Sequence, residues 1–385
     1  MECSLTRNLI GCASLLGLVL LLLSGGVVLG EPVRASADSW PIARGDAALT
    51  GTTPARVPDK PALRWQFDTG SKILGSPVIH QGALYAAALD GDVVALQLES
   101  GELRWRVKLP APVEASPFFA DGLLFVGDRD GTLHALDAAS GQSRWTYAAD
   151  GQIMGGANLA LGEPNLILFG SYDYHLHAVD AATGLRVWAY ETGHYVNGIP
   201  AIGDGMVLIG GCDEHVHVVN LRDGTRRAMI DAGSYVASSP VLRDGHAYVG
   251  HYNGEVLGID LSDGKISWRF AADGNPAFFA SPAATATRVL AGGRHGILHS
   301  LARDTGREIW QYQAQGDIDS APVVAGDRVI FGSRDGRVSM LRFADGERVW
   351  SFLVGSPISA GVAVVEGWIV AGATDGVLYA FGEAP

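Results

Sequence analysis

Seven tryptophans, Trp65, Trp105, Trp145, Trp188, Trp268, Trp310 and Trp350, follow one another at intervals of 40, 40, 43, 80, 42 and 40 residues. The doubled interval has its missing member at Ala228. No other feature restricts the chain as much, because self-similar units of about 20–50 residues build solenoids, propellers or arrays. Two further rows keep the register. One holds Ser76-Pro77, Ser116-Pro117, Gly156-Ala157, Ile199-Pro200, Ser239-Pro240, Ser281-Pro282, Ala321-Pro322 and Gly361-Val362. The other holds Asp90-Gly91, Asp130-Gly131, Asn253-Gly254, Asp335-Gly336 and Asp375-Gly376. Eight units of about 40 residues result.

The second unit shows the pattern inside each. Short apolar runs over 116–119, 123–127, 133–137 and 143–147 are separated by Asp121-Gly122, Asp130-Gly131 and Ser140-Gly141. Gly accepts positive φ, so these are hairpin turns, and four antiparallel strands per unit make a propeller blade. The chain ends after three strands of the eighth unit, and its missing Trp-bearing strand lies near the start, at 63–67. The expectation is therefore an all-β, eight-bladed β-propeller over 62–381, the last blade closed by the N-terminal strand, with a tail at 382–385. Four residues before each Pro position stand Ile73, Val113, Ile153, Val196, Val236, Phe278, Ile318 and Ile358, an apolar row suited to the gaps between blades. The repeat also houses 26 of the 51 glycines, at four turn or strand-end positions.

Charge excludes one class of function. With 28 Lys+Arg against 41 Asp+Glu the net charge is −13, and no basic patch is present to draw nucleic acid. Residues 9–30 carry no charge, and Ala35-Ser36-Ala37 offers a small-residue exit. This predicts an export signal over 1–30, the alternative being an uncleaved membrane attachment through 9–30. Residues 31–61 read as a linker or surface strap. Cys3 and Cys12 fall in the N-terminal segment, so Cys212 is left without a disulfide partner.

The run Ala115-Ser116-Pro117, Phe125-Val126-Gly127, Asp130-Gly131-x-Leu133-His134-Ala135-Leu136-Asp137, Ser140-Gly141 and Arg144-Trp145 resembles the pyrroloquinoline-quinone (PQQ)-type repeat, and the likeness extends over all eight units. No Trp-Asp dipeptide occurs, which sets the chain apart from WD repeats. Eight such blades behind an export signal resemble the BamB-like propellers of outer-membrane assembly. That resemblance implies an exported, monomeric, non-catalytic scaffold in the periplasm or cell envelope, with protein partners and no cofactor. Quinoprotein dehydrogenases share the repeat and hold PQQ with calcium on the axis. The adjacent cysteines usual beside that quinone are absent here. A small PQQ-dependent dehydrogenase and a glycan-binding propeller stand as alternatives.

Blades three to five break the turn pattern. Tyr172-Asp173-Tyr174-His175 and Cys212-Asp213-Glu214-His215 replace Asp-Gly, and His251-Tyr252 precedes Asn253-Gly254. Entering loops on the same face add His194, Tyr195, Asn197 and Tyr235. The expected partner-binding rim is thus Tyr172, Tyr174, His175, His194, Tyr195, Asn197, Tyr235, His251 and Tyr252, because aromatic anchors are enriched at interfaces. Around the axis Glu114, Asn197, Asp317 and Asp319 offer oxygens of the kind calcium takes, though channel mouths commonly hold polar residues on water. His175/His177 and His215/His217 are His-x-His pairs on one strand side, but His177 and His217 occupy the slot of His134 and His299 and are expected to pack. No metal or catalytic residue is expected.

Overall fold

The computed structural model describes residues 33–384. The expected signal or attachment segment, with Cys3 and Cys12, lies outside them. Among the described residues no helix is long and apolar enough to cross a membrane. Eight antiparallel sheets of four consecutive-neighbour strands form the ring, two of them with one added strand. In blade two the strands are Phe118–Ala120, Leu123–Gly127, Thr132–Asp137 and Ser143–Ala148. The inner strand starts after Pro117, which has no N–H to give a ladder. Blade eight pairs Ala62–Asp68 with Val377–Gly382, the expected closure.

The repeat positions now have physical reasons. The apolar row is fully or almost fully buried, from Ile73 to Ile358. Seven of these side chains fill space left by a glycine that ends a second strand, and blade one ends that strand with Ala87 instead. A Cβ on Gly127 would lie 2.3 Å from Ile153, and one on Gly170 2.3 Å from Val196. Burying each such side chain contributes on the order of 1.5–3 kcal/mol, so the row welds blade to blade.

The periodic tryptophans sit on the outer strands, where six of the seven indoles cover the last turn of the next blade and Trp350 instead meets Phe352 and Phe381. Trp65 Nε1 donates to Leu98 O at 2.7 Å, Trp105 Nε1 to Ala138 O at 3.0 Å and Trp310 Nε1 to Phe343 O at 3.0 Å. Trp188, Trp268 and Trp310 are buried, whereas Trp65, Trp105, Trp145 and Trp350 keep an edge in solvent. They are therefore inter-blade covers, four of them only partly buried.

Residues 33–61 do more than link. Ser39–Trp40 pairs with the inner strand of blade one, and Thr52–Thr53 runs parallel to that of blade seven. Between these points Phe119 N donates to Pro41 O, Asn158 Nδ2 and Ile202 N to Ala47 O, Leu242 N to Ala48 O and Ala284 N to Thr50 O. Glu366 N reaches Ala37 O, so the strap bonds to the inner strands or first hairpins of all eight blades. It crosses the axis on the face of the first hairpins. Trp40, Ile42 and Leu49 are buried there, and Arg44 is 3% exposed. Arg44 donates to Pro322 O at 3.0 Å and to Pro282 O at 2.6 Å. Burial pulls its pKa down to about 10, against the favourable charge of Asp46.

Candidate functional site

The opposite face carries the turns between second and third strands. At the Gly slot of these turns Gly91, Gly131, Gly254, Gly296, Gly336 and Gly376 have φ between 73° and 94°. Blades three and four put Tyr174 and Glu214 there, at φ 73° and 70°. A left-handed L-residue costs about 1–2 kcal/mol. Residues held in such conformations cluster at functional sites. Asp173 and Asp213 hold these turns together. Asp173 Oδ1 accepts from His175 N at 3.0 Å, and its Oδ2 lies 2.9 Å from His177 Nε2. Burial pushes the Asp173 carboxyl up, yet the hydrogen bond and charge of His177 with two backbone N–H groups hold it at about 2.

Four of the expected rim residues meet in one cluster. Tyr172 stacks on Tyr195 with ring centroids 4.2 Å apart. His194 stands edge-on to Tyr195 at 4.4 Å, and Tyr174 lies 5.5 Å from His194 and 5.4 Å from Tyr195. Tyr174 is 40% exposed, so this group presents ring surface to solvent. Tyr235 and Tyr252 are more exposed still, at 51% and 55%. Tyr252 N donates to Tyr235 O at 3.0 Å, and its ring meets Phe279 edge-on at 5.4 Å.

The remaining three lie elsewhere. His175 turns toward its own loop, with Nδ1 2.8 Å from Asp173 O. His251 is 2% exposed beneath the rim, Nε2 being 3.1 Å from Glu255 and Nδ1 accepting from Asn253 N at 3.1 Å. Asn197 faces the axis, where its Nδ2 donates to Cys212 Sγ at 3.3 Å. Burial pushes the Cys212 thiol up.

The axis holds a cavity of about 440 Å³ between the strap and this face, lined by Arg44, Glu114, Asn197, Phe279, Arg294 and Asp319 among others. Its carboxylates have arginine partners. Glu114 is 3.3 Å from Arg129, and Asp319 is 2.9 Å from Arg294 and 3.4 Å from Arg334. Arg294 also lies over the Phe279 ring at 3.7 Å. Arg294 was absent from the expected rim. Its signal in the sequence is the turn Arg294-His295-Gly296, a further departure from Asp-Gly.

The ring, its turns and its inter-blade covers define an eight-bladed propeller of PQQ-type repeats. The family profile described as "Outer membrane protein assembly factor BamB" matches residues 55–193 and 172–384, and the chain belongs to that family. Among solved structures it is similar to BamB from Moraxella catarrhalis, at 20% identity and a TM-score of 0.70 over 84% of this chain and 98% of that one. It is similar also to the computationally designed Ika8 protein, at 19% identity and 0.73 over 82% and 98%. Quinohemoprotein alcohol dehydrogenase from Comamonas testosteroni superposes at 14% identity and 0.75 over 90% and 81%. These likenesses show the fold. No curated protein matches the chain.

Proposed function

We propose that this chain is an exported, non-catalytic scaffold of the cell envelope that holds protein partners on the rim of blades three to five. The observation that carries the reading is the pair of left-handed residues Tyr174 and Glu214, placed in adjacent turns where six other blades use Gly. They lie beside an exposed aromatic cluster of the kind that anchors interfaces. The family description and the apolar segment at 9–30 support the envelope as the place of action.

Quinone chemistry has less support. Calcium beside PQQ needs oxygens that are not already neutralised, and Glu114 and Asp319 are engaged by Arg129, Arg294 and Arg334. Two of the four axial oxygen donors are so engaged, which supports a reading without a cofactor. Co-purification from envelope extracts tests the proposal. Wild-type chain is expected to retain a protein partner that the Tyr195→Ala, Tyr235→Ala double variant loses. Identical partners for both proteins overturn the rim. A sugar ligand on a glycan array, lost with Tyr195→Ala, replaces the protein partner by a saccharide stacked on Tyr172 and Tyr195.

A further inference from the structure

We propose that the second hairpins of blades three and four each bind a divalent transition-metal ion of the zinc class, through Asp173, His175 and His177 and through Asp213, His215 and His217. This site is independent of the rim reading. In blade three one ligand atom from each of the three side chains lies within 4.8 Å of the others. Asp173 Oδ2 is 2.9 Å from His177 Nε2, and Oδ1 is 3.6 Å from His175 Nδ1. Tetrahedral zinc with bonds of about 2.0–2.2 Å separates neighbouring ligand atoms by roughly 3.3–3.5 Å, so small side-chain adjustments complete the set. Two imidazoles and a carboxylate suit zinc and its neighbours rather than calcium or magnesium.

Packing accounts for the inner histidine alone. In blade two His134 reaches Asp128 at 2.7 Å with no second histidine, because Thr132 fills the outer slot. That slot holds Asp92, Glu255, Ile297, Arg337 and Val377 in other blades, and His only at 175 and 215. His-x-His on a strand puts both rings on one side. Directly across the ladder stand Glu191 opposite His175 and Asp231 opposite His215, placing a further carboxylate beside each site. The inner ring is already oriented from behind. Tyr147 OH lies 3.0 Å from His177 Nδ1 and Tyr190 OH 3.0 Å from His217 Nδ1. Such outer partners fix the ring and tautomer of a metal-bound histidine. The blade-four set is wider, with His215 Nδ1 4.0 Å from Asp213 Oδ1, and is the weaker site.

With the ring proton of His177 on Nδ1, toward Tyr147 Oη, its Nε2 lone pair and Asp173 Oδ2 hold the ion in place of the hydrogen bond between them. His175 releases Asp173 O as its ring turns, which its partial exposure permits. Titration of tag-free, chelator-treated protein with Zn²⁺ tests this, followed by Co²⁺ absorption. The expected result is two ions per chain and Co²⁺ bands of tetrahedral intensity. His175→Ala removes the tighter ion and His175→Ala, His215→Ala removes both, while the buried acid–histidine braces stay intact. Tyr147→Phe weakens the tighter site by about 10–100-fold. Uptake below one ion per chain, or uptake by the double variant equal to wild type, overturns the proposal.

Discussion

Adding one methyl group to either of two equivalent turns tests how the indoles set the repeat. Gly141 and Gly264 occupy the same slot in blades two and five, at φ 73° and 71°. Alanine at either position meets the same left-handed strain, about 1–2 kcal/mol. Only Gly141 lies under an indole. Its added Cβ would be 2.8 Å from Val107 Cγ1 and 2.9 Å from Trp105 Cε3, against an ordinary carbon contact of about 3.5–4.0 Å. At Gly264 nothing lies within 4 Å, because the preceding blade has Ala228 in place of Trp. Moving Trp105 aside also disturbs its bond to Ala138 O at 3.0 Å. Overpacking of this kind costs about 1–3 kcal/mol. Gly141→Ala is thus expected to destabilise by about 2–5 kcal/mol and Gly264→Ala by about 1–2. Urea unfolding reads the difference as a larger fall in midpoint for Gly141→Ala at unchanged slope. Equal midpoints would refute the indole as the reason for glycine in that turn.

Glu214→Gly relieves a φ of 70° on an exposed side chain, and is expected to raise stability by about 0.5–1 kcal/mol in the same assay, after the entropy cost of glycine. Tyr174→Gly gives the same backbone relief but loses two ring contacts, so a gain as large as that of Glu214→Gly would show the cluster contributes nothing to folding. Arg44→Met leaves the carbonyls of Pro282 and Pro322 without their donor; a loss of about 2–4 kcal/mol and faster proteolysis within 33–61 are expected. Asp173 titrates at about 2 when folded against an ordinary 3.8, so its contribution is complete above pH 4 and fades as pH falls toward 2. In chelator, Asp173→Asn should lower stability at pH 7 and show a shallower acid decline between those values; an unchanged acid limb contradicts the His177 pairing.

The ring was legible because its constraints recur. A glycine under an indole recurs in six blades and one against the apolar row in seven, so chance cannot hide them. The Asp-Gly failures at Tyr174 and Glu214 were legible for the same reason, as exceptions to a rule the chain itself states. A strap was one of the two readings of residues 31–61, but its contacts were not legible. It bonds to each blade in a different way, and so writes no period; nothing in Ile42-Ala43-Arg44 announces a buried guanidinium. His251 looked like rim because its slot borders the turn, but its ring folds inward to accept Asn253 N–H. Sequence places a residue on a face; it does not say which way a ring swings once there.

Because the strap bonds to every blade, it also determines how the ring bears tension. The blade-eight seam, Ala62–Asp68 against Val377–Gly382, is the one place where the circle is held by hydrogen bonds instead of covalent chain. A pull on the chain at Val33 does not reach that seam first. It enters through Ala37 on the first hairpin of blade eight and Ser39–Trp40 on blade one, and is shared with the inner strands of blades two to seven by way of Pro41, Ala47, Ala48, Thr50 and Gly51. The ring is therefore cinched from the end where the chain enters, and the aromatic rim faces away from the line of force.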